Sequence, residues 1–308
     1  MIPYLYSALA FASPVSLEIG VEQRSVSHPF LNIVYKLPTS SLSLHSDQFS
    51  WSKHSTTSNQ STLITVHGQG FQTLQTHQTF ENGDVDPSQS FQSSYLGFNI
   101  AQLRTTSKNL QFGGRINPSY YWFSDFGYNV TEMEPQIRTS ITSLFLWDYQ
   151  GFSLYSYLGS TVVFTNKLEQ YPSGYLHWDY EGIKRFSPIA GMDLGTAKDP
   201  DSLNLSRIGG EKSNFIPLMG ADWAEFLVKD FVIGRVGAQY KGTLQNLEHR
   251  TAIRADIAWF QDWKLGLGLV NRMNWKEWSV SSHLGYGFWR ENALPSFSAS
   301  VGWNLMDN

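Results

Sequence analysis

The sequence predicts an all-β fold, an antiparallel transmembrane β-barrel of about sixteen strands, with fourteen as the alternative. Three observations lead there. Apolar and polar residues alternate with period two along most of the 308-residue chain, the spacing of strands with one apolar face. Aromatics cluster where apolar faces end, at Trp147 and Tyr149, Trp259 and Trp263, and Trp278 and Phe288; membrane–water interfaces favour them there. The opposite faces carry isolated charges among Gly and Ser, which suits a crowded or water-filled lumen. Mean values conceal this division. Charged residues make up only 16% and mean hydropathy is −0.27, yet no stretch reaches the roughly 18 apolar residues of a membrane helix.

Residues 1–12 are apolar and uncharged and end in Ala10-Phe11-Ala12, the pattern of a signal-peptidase site without the usual basic lead, so they read as a possible signal-peptide remnant. Residues 13–308 then read as a single transmembrane β-barrel. Val15, Leu17, Ile19 and Val21 open the alternation, and strands are expected near 15–25, 29–37, 40–52 and 60–80. The stretch 39–94 is dense in Ser, Thr, Gln and His and alternates poorly, so it is expected as strands projecting beyond the bilayer, an insert folded into the lumen, or a flexible polar loop.

Alternation is firmer from 93–104 and 109–123 onward, where Phe112, Ile116, Tyr120 and Trp122 oppose Gln111, Gly113, Arg115 and Ser119. Further strands are expected at 136–148, 152–165, 173–185, 187–196, 214–227 and 231–242. The last four, 250–260, 263–273, 277–289 and 296–305, carry the cleanest pattern, and Gln261-Asp262 between the first two reads as a tight hairpin.

On this strand count the termini fall on the side of the longer loops, 274–276, 243–249, 197–213, 166–172, 124–135 and 81–92. Barrels ordinarily keep both termini with the short turns. Either one strand is miscounted, or the larger loops face the periplasm and await a partner.

Phe297, Ala299, Val301, Trp303 and Leu305 share one face of the last segment, and Ser296, Ser298, Ser300, Gly302 and Asn304 the other. This resembles the terminal strand of bacterial outer-membrane β-barrel proteins, porin-like but of no specific subfamily. Phe297, Trp303 and Leu305 stand for its hydrophobic assembly signal, while Ser300 replaces the usual Gly and Met306-Asp307-Asn308 extend past the usual aromatic end. The resemblance implies an outer-membrane location, outer-membrane lipid as surroundings and insertion by barrel-assembly machinery. It implies no substrate.

A charge facing lipid at mid-depth costs roughly 2–4 kcal/mol. Charged residues within strands are therefore expected to face inward. The expected pore lining is Arg115, Arg138, His177, Asp179, Glu181, Arg185, Asp222, Arg235, Lys241, Arg250, Arg254, Asp256, Lys264, Arg272 and His283, with Asp193 and Glu277 of the same parity. Their slight basic excess suits either a narrow pore with weak anion preference or a lumen cross-braced shut, and Tyr155, Tyr157 and Phe260 have the parity to close it.

His177, Asp179 and Glu181 on one strand face have the makings of acid–base chemistry, with Asp84-Val85-Asp86 as a second acidic pair, but mutual salt bridges are the stronger expectation, and no catalytic residue is assigned. His45, His54, His67 and His77 lack metal-ligand spacing on a firm element, so neither metal nor cofactor is expected. The absence of cysteine excludes disulfides and thiolate metal sites, and a net charge of −4 gives no reason to expect nucleic acid. Three functions remain: a passive pore for small solutes, a structural barrel of a secretion, export or motility complex with a periplasmic or outer-membrane protein partner, and a hydrolase.

Overall fold

A computed structural model describes residues 15–23, 27–45, 48–57, 59–75, 80–81, 84–85, 87–107, 109–198, 200–201, 203–208, 216–221, 226–244, 247–289 and 295–305. Within them run β1 (Val15–Gln23), β2 (Ser27–Lys36), β3 (Ser40–His45), β4 (Gln48–Thr56), β5 (Gln60–Gln75), β6 (Phe80–Glu81), β7 (Asp84–Val85), β8 (Ser90–Ser107), β9 (Leu110–Ser124) and β10 (Gln136–Tyr149). β11 (Phe152–Phe164), β12 (Leu168–Glu181), β13 (Phe186–Ala197), β14 (Ser206–Ile208), β15 (Phe226–Val228), β16 (Phe231–Leu244), β17 (Leu247–Trp259), β18 (Trp263–Trp275), β19 (Trp278–Gly287) and β20 (Ser296–Leu305) complete the chain.

Sixteen of these strands close into one antiparallel barrel, each paired with its sequence neighbour in the sheet. The seam is β1 against β20, in register from Val15↔Leu305 to Glu22↔Ser298. Closure leaves no unpaired edge, the condition for a sheet to survive in lipid. β6–β7 and β14–β15 form separate two-stranded sheets.

Period-two sequence produces two surfaces. The outer one exposes Ile141, Val236, Ile253, Ile257, Leu265, Leu267, Leu269 and Leu284, each more than a third accessible. Such an apolar band exceeds any patch a water-soluble monomer shows. Aromatics edge it. Trp278 stacks on Trp303, ring centres 5.5 Å apart, beside the chain end, while Trp259 faces Trp263 at the opposite rim.

The turns differ by side. One rim has only short links: 37–39, 57–59, 108–109, 150–151, 182–185, 245–246 and 276–277. The link Gln150-Gly151 has positive φ at both residues, as a two-residue hairpin of matching twist requires. The other rim carries the long links 76–89, 125–135, 198–230 and 288–295. Val15 begins and Leu305 ends at the short-turn rim.

This corrects the expected sidedness, which came from two strand errors. The stretch 214–227 is no barrel strand: it belongs to the link 198–230, and counting it reversed the side of the adjoining links. The expected strand 40–52 is two strands, β3 and β4, so the total still reached sixteen. Most of the polar stretch 39–94 forms wall, since β3, β4, β5 and the start of β8 all pair within the barrel, while β6–β7 lies in the link 76–89. β3, with six residues, is the shortest barrel strand, and only five of its positions pair with β2. Residues 1–12 lie outside the described residues.

Candidate functional site: the barrel lumen

The link 198–230 leaves the wall after β13 and turns inward. Its apolar residues run consecutively, as in Leu218-Met219 and Phe226-Leu227-Val228, instead of alternating. A segment buried on all sides has this pattern; a wall strand does not. Ile208, Leu218, Met219 and Ala221 are almost wholly inaccessible. Ile208, Leu218 and Ala221 pack with Phe226, Val228 and the inward side chains Phe231, Ile233, Ala258 and Phe260, with Tyr175, Ile216 and Trp289 at the edge.

Inner-face glycines make room for it. A Cβ on Gly266 would stand 1.8 Å from the Met219 carbonyl oxygen, and one on Gly268 2.1 Å from the Met219 sulfur. Gly220 has φ 79°, so the chain turns there against Gly285 and Gly287, in a conformation that favours glycine. The small inner residues of β18 and β19 thus serve a crowded lumen.

Polar contacts fix the segment. The Met219 backbone N–H donates to Asp256 Oδ2 (2.8 Å), and Arg235 donates to the Pro217 carbonyl (2.9 Å). His283 Nε2 lies 2.8 Å from Met219 Sδ. Further along, Arg138 on β10 makes a bidentate pair with Asp201 at 2.7 and 3.0 Å. Asp201 also accepts from the backbone N–H groups of Leu203 and Asn204, holding its own turn. Burial pulls Arg207, on β14 of this segment, down to about 10.

Behind the segment runs a buried charge chain. Asp193 on β13 takes an ion pair from Arg235, a hydrogen bond from the Tyr175 hydroxyl and a 2.8 Å contact from His177 Nδ1. Asp256 takes Arg254 Nε at 2.8 Å and Nη2 at 2.9 Å, with Arg235 Nε 4.0 Å away. Asp193 and Asp256 are about 1% and 0% exposed. Buried charges persist only where an opposite charge stands beside them. Toward the short-turn rim, Glu181 pairs with Arg250 and, at 3.6 Å, with Lys241. His177 therefore contacts Asp193 while Glu181 forms salt bridges with Arg250 and Lys241, so the two do not form one acid–base cluster.

The expected pore-lining residues divide. Arg138, Arg235, Asp256, Lys264 and His283 are buried at the inserted segment's side of the lumen. Arg115, which donates to Thr142 Oγ1 at 3.2 Å, lies on the inner face with His177, Asp179, Glu181, Lys241, Arg250, Arg254 and Arg272. Arg185 is a correction: it sits in the exposed turn 182–185 and donates to the hydroxyl of outward-facing Tyr240, because the strand ends at Glu181, before that residue. Glu277 is likewise in a turn. Asp222 lies outside the described residues, as does Asp86. Phe297 and Trp303 face outward, 44% and 38% exposed, on the strand whose Leu305 pairs with Val15.

Sequence reasoning passed over the inserted segment itself and gave Asp193 no role beyond its parity. The consecutive apolar pairs carried the signal for the first. Tyr155 and Tyr157, expected as possible closures, lie with Leu103, Leu144, Leu146 and Tyr175 in a second inward apolar cluster. Phe260 packs with the inserted segment. His67, at 8% exposure, holds Asn117 at 3.1 Å, and His54 holds Ser61 at 2.9 Å.

Across from the insert the lumen is different. Ser41, Ser43, Ser50, Ser52 and Thr65 point inward from β3, β4 and β5 and remain half-exposed, while Leu42, Leu44, Phe49, Trp51, Ile64 and Val66 point outward.

No family model matches the sequence, and no curated protein matches it. Solved structures match the fold. CdiB from Acinetobacter baumannii is 13% identical, with a TM-score of 0.62 over 94% of this chain and 60% of its own. BamA from Haemophilus ducreyi lacking POTRA domains 1-3 is 9% identical, with a TM-score of 0.65 over 94% of this chain and 69% of its own. CdiB from Escherichia coli is 10% identical, with a TM-score of 0.64 over 94% of this chain and 62% of its own. The chain thus spans about 60% of the length of the two CdiB proteins it matches. Its fold is that of the bacterial outer-membrane β-barrels.

Proposed function

We propose that the chain is a bacterial outer-membrane barrel that passes small polar solutes passively along one side of its lumen. The carrying observation is the half-exposed Ser and Thr lining on the inner face of β3 to β5. A fully packed lumen would bury that lining as it buries Ile233 and Ala258. The pore is a remainder: what the insert leaves beside the polar wall. Ionic selectivity would be set where Glu181, Lys241, Arg250 and Arg272 line the short-turn mouth.

Planar-bilayer recording of the purified full-length chain tests this. Stable unitary steps of small conductance are expected. Repeated insertion without conductance would sink the reading.

A second reading is a barrel subunit within an envelope complex. Its support is the likeness to CdiB and BamA, whose chains are longer than the part this one matches. The loop-side argument for a periplasmic partner has gone, because the termini lie with the short turns. Cross-linking in intact cells that captures no stoichiometric protein would count against it. The hydrolase reading finds no single acid–base cluster, since His177 Nδ1 contacts Asp193 while Glu181 pairs with Arg250 and Lys241.

A further inference from the structure

Wall strands normally avoid placing like charges directly opposite one another, since the pair repels. Arg250 and Arg272 are directly opposite on β17 and β18, both inward. Next along, Arg272 faces Ser281 and Ser281 faces Ser300, with 2.8 Å between the two serine hydroxyls. Two rows toward the insert, Arg254 projects from the same face of β17.

These side chains bound a cavity of about 240 Å³ that also touches His283, Ser281 and Ser298. The volume lies below the roughly 300–1,000 Å³ of drug-sized pockets, so it suits a ligand of a few heavy atoms.

The pairing is uneven among the described residues. Lys241, Arg250, Arg254 and Arg272 share this inner face with Asp179, Glu181 and Asp256. Glu181 is shared between Arg250 and Lys241, and Asp256 is taken by Arg254. Glu248, the next inward position on β17 toward the rim, is exposed. Among the described residues Arg272 has no ion pair. The unpaired positive charge of Arg272 therefore lies in the wall of a small cavity, beside further guanidinium forks and hydroxyls.

We propose that this cavity binds a small phosphate-bearing anion. Guanidinium N–H groups match phosphate oxygens bidentately, and the serine hydroxyls supply further donors. Arg272 gains through the ligand the counter-charge the wall withholds, and the repulsion with Arg250 is relieved. The site rests on the proposed reading only in that the lumen must admit water and ions; within that reading it is a dwell point for anions in transit.

The test is calorimetric titration and thermal unfolding of the full chain in detergent micelles, with inorganic phosphate and glycerol phosphate as probes against chloride at equal ionic strength. Saturable binding and a raised Tm are expected with phosphate. Arg272→Gln weakens binding at least tenfold and abolishes the Tm rise. In chloride alone its Tm equals or exceeds wild type, because a repulsion has gone. Arg272→Lys, which keeps charge without the fork, retains part of the binding. Arg104→Gln, on the exposed outer face of β8, leaves it unchanged. Glycerol phosphate binding as tightly as phosphate assigns esters to the site; binding of phosphate alone assigns the free anion. No saturable phosphate effect, or an equal effect in Arg272→Gln, overturns the site. Conductance without phosphate binding leaves the pore and removes the site; binding without conductance does the reverse.

Discussion

The inner surface of β3 to β5 and that of β16 to β19 belong to one barrel and obey one alternation, yet they do opposite things. The first offers half-exposed hydroxyls that bond only to wall neighbours, Ser43 to Asn32 and Ser52 to Thr65. The second offers glycines, a buried aspartate and paired arginines to a folded-in segment. Outside, both present the same apolar band. The difference shows that alternation fixes only which side chains face inward. Whether the inward side is lumen or core depends on residue size and on how completely the charges are matched. Serine is small but polar and keeps water; glycine lets another backbone approach to contact.

Four substitutions would break or sharpen this contrast. The largest effect is expected at Asp193→Ala, which strips the carboxylate shared by Arg235, His177 and Tyr175. Leaving a buried arginine without its partner costs about 3–5 kcal/mol. Urea unfolding in lipid vesicles would read it, and an unchanged midpoint would mean the filled wall is not held by its charges. Next is Ile253→Arg, at the centre of β17 and 66% exposed on the outer face. A lipid-facing charge there costs about 2–4 kcal/mol; the same measurement giving no loss would place that face in water.

Gly266→Val drives a side chain into the Met219 backbone. Overpacking of about 1–3 kcal/mol is expected, and displacement of the insert should raise unitary conductance and expose the 198–230 segment to protease. Conductance unchanged in a folded variant would show that the insert does not border the path. The smallest effect belongs to the polar wall. Ser43→Ala should stay within about 0.5 kcal/mol of wild type, because its hydroxyl is half-exposed. A larger loss would reveal a packed wall and erase the contrast.

The outer surface was almost wholly legible in the sequence, because lipid imposes one demand on every strand. Where two elements shared that demand the reading still slipped. The hairpin of β3 and β4 read as one strand, since Leu42, Leu44, Phe49 and Trp51 all point outward and the turn between them is short. The inner surface was legible only by parity. Asp193, Arg235 and Asp256 stood on the correct face, but their convergence follows from register: Arg235 pairs with Asp256 on one side and with Gly191, two residues from Asp193, on the other. Register depends on where strands start, which alternation leaves free by steps of two. The insert was hidden because an apolar segment buried in a lumen and an apolar strand facing lipid have similar composition.

The brevity of β3 has a consequence for the membrane around the protein. Six residues tilted like their neighbours climb only about 15 Å, at roughly 3.3 Å per residue along the strand. The apolar band of such barrels is about 25 Å tall. Lipid tails beside Leu42 and Leu44 must shorten, tilt or splay to meet it, at a modest energy for each ångström of mismatch. The barrel is thus unequal in height around its girth, and the bilayer is expected to be thinnest beside its most polar interior wall.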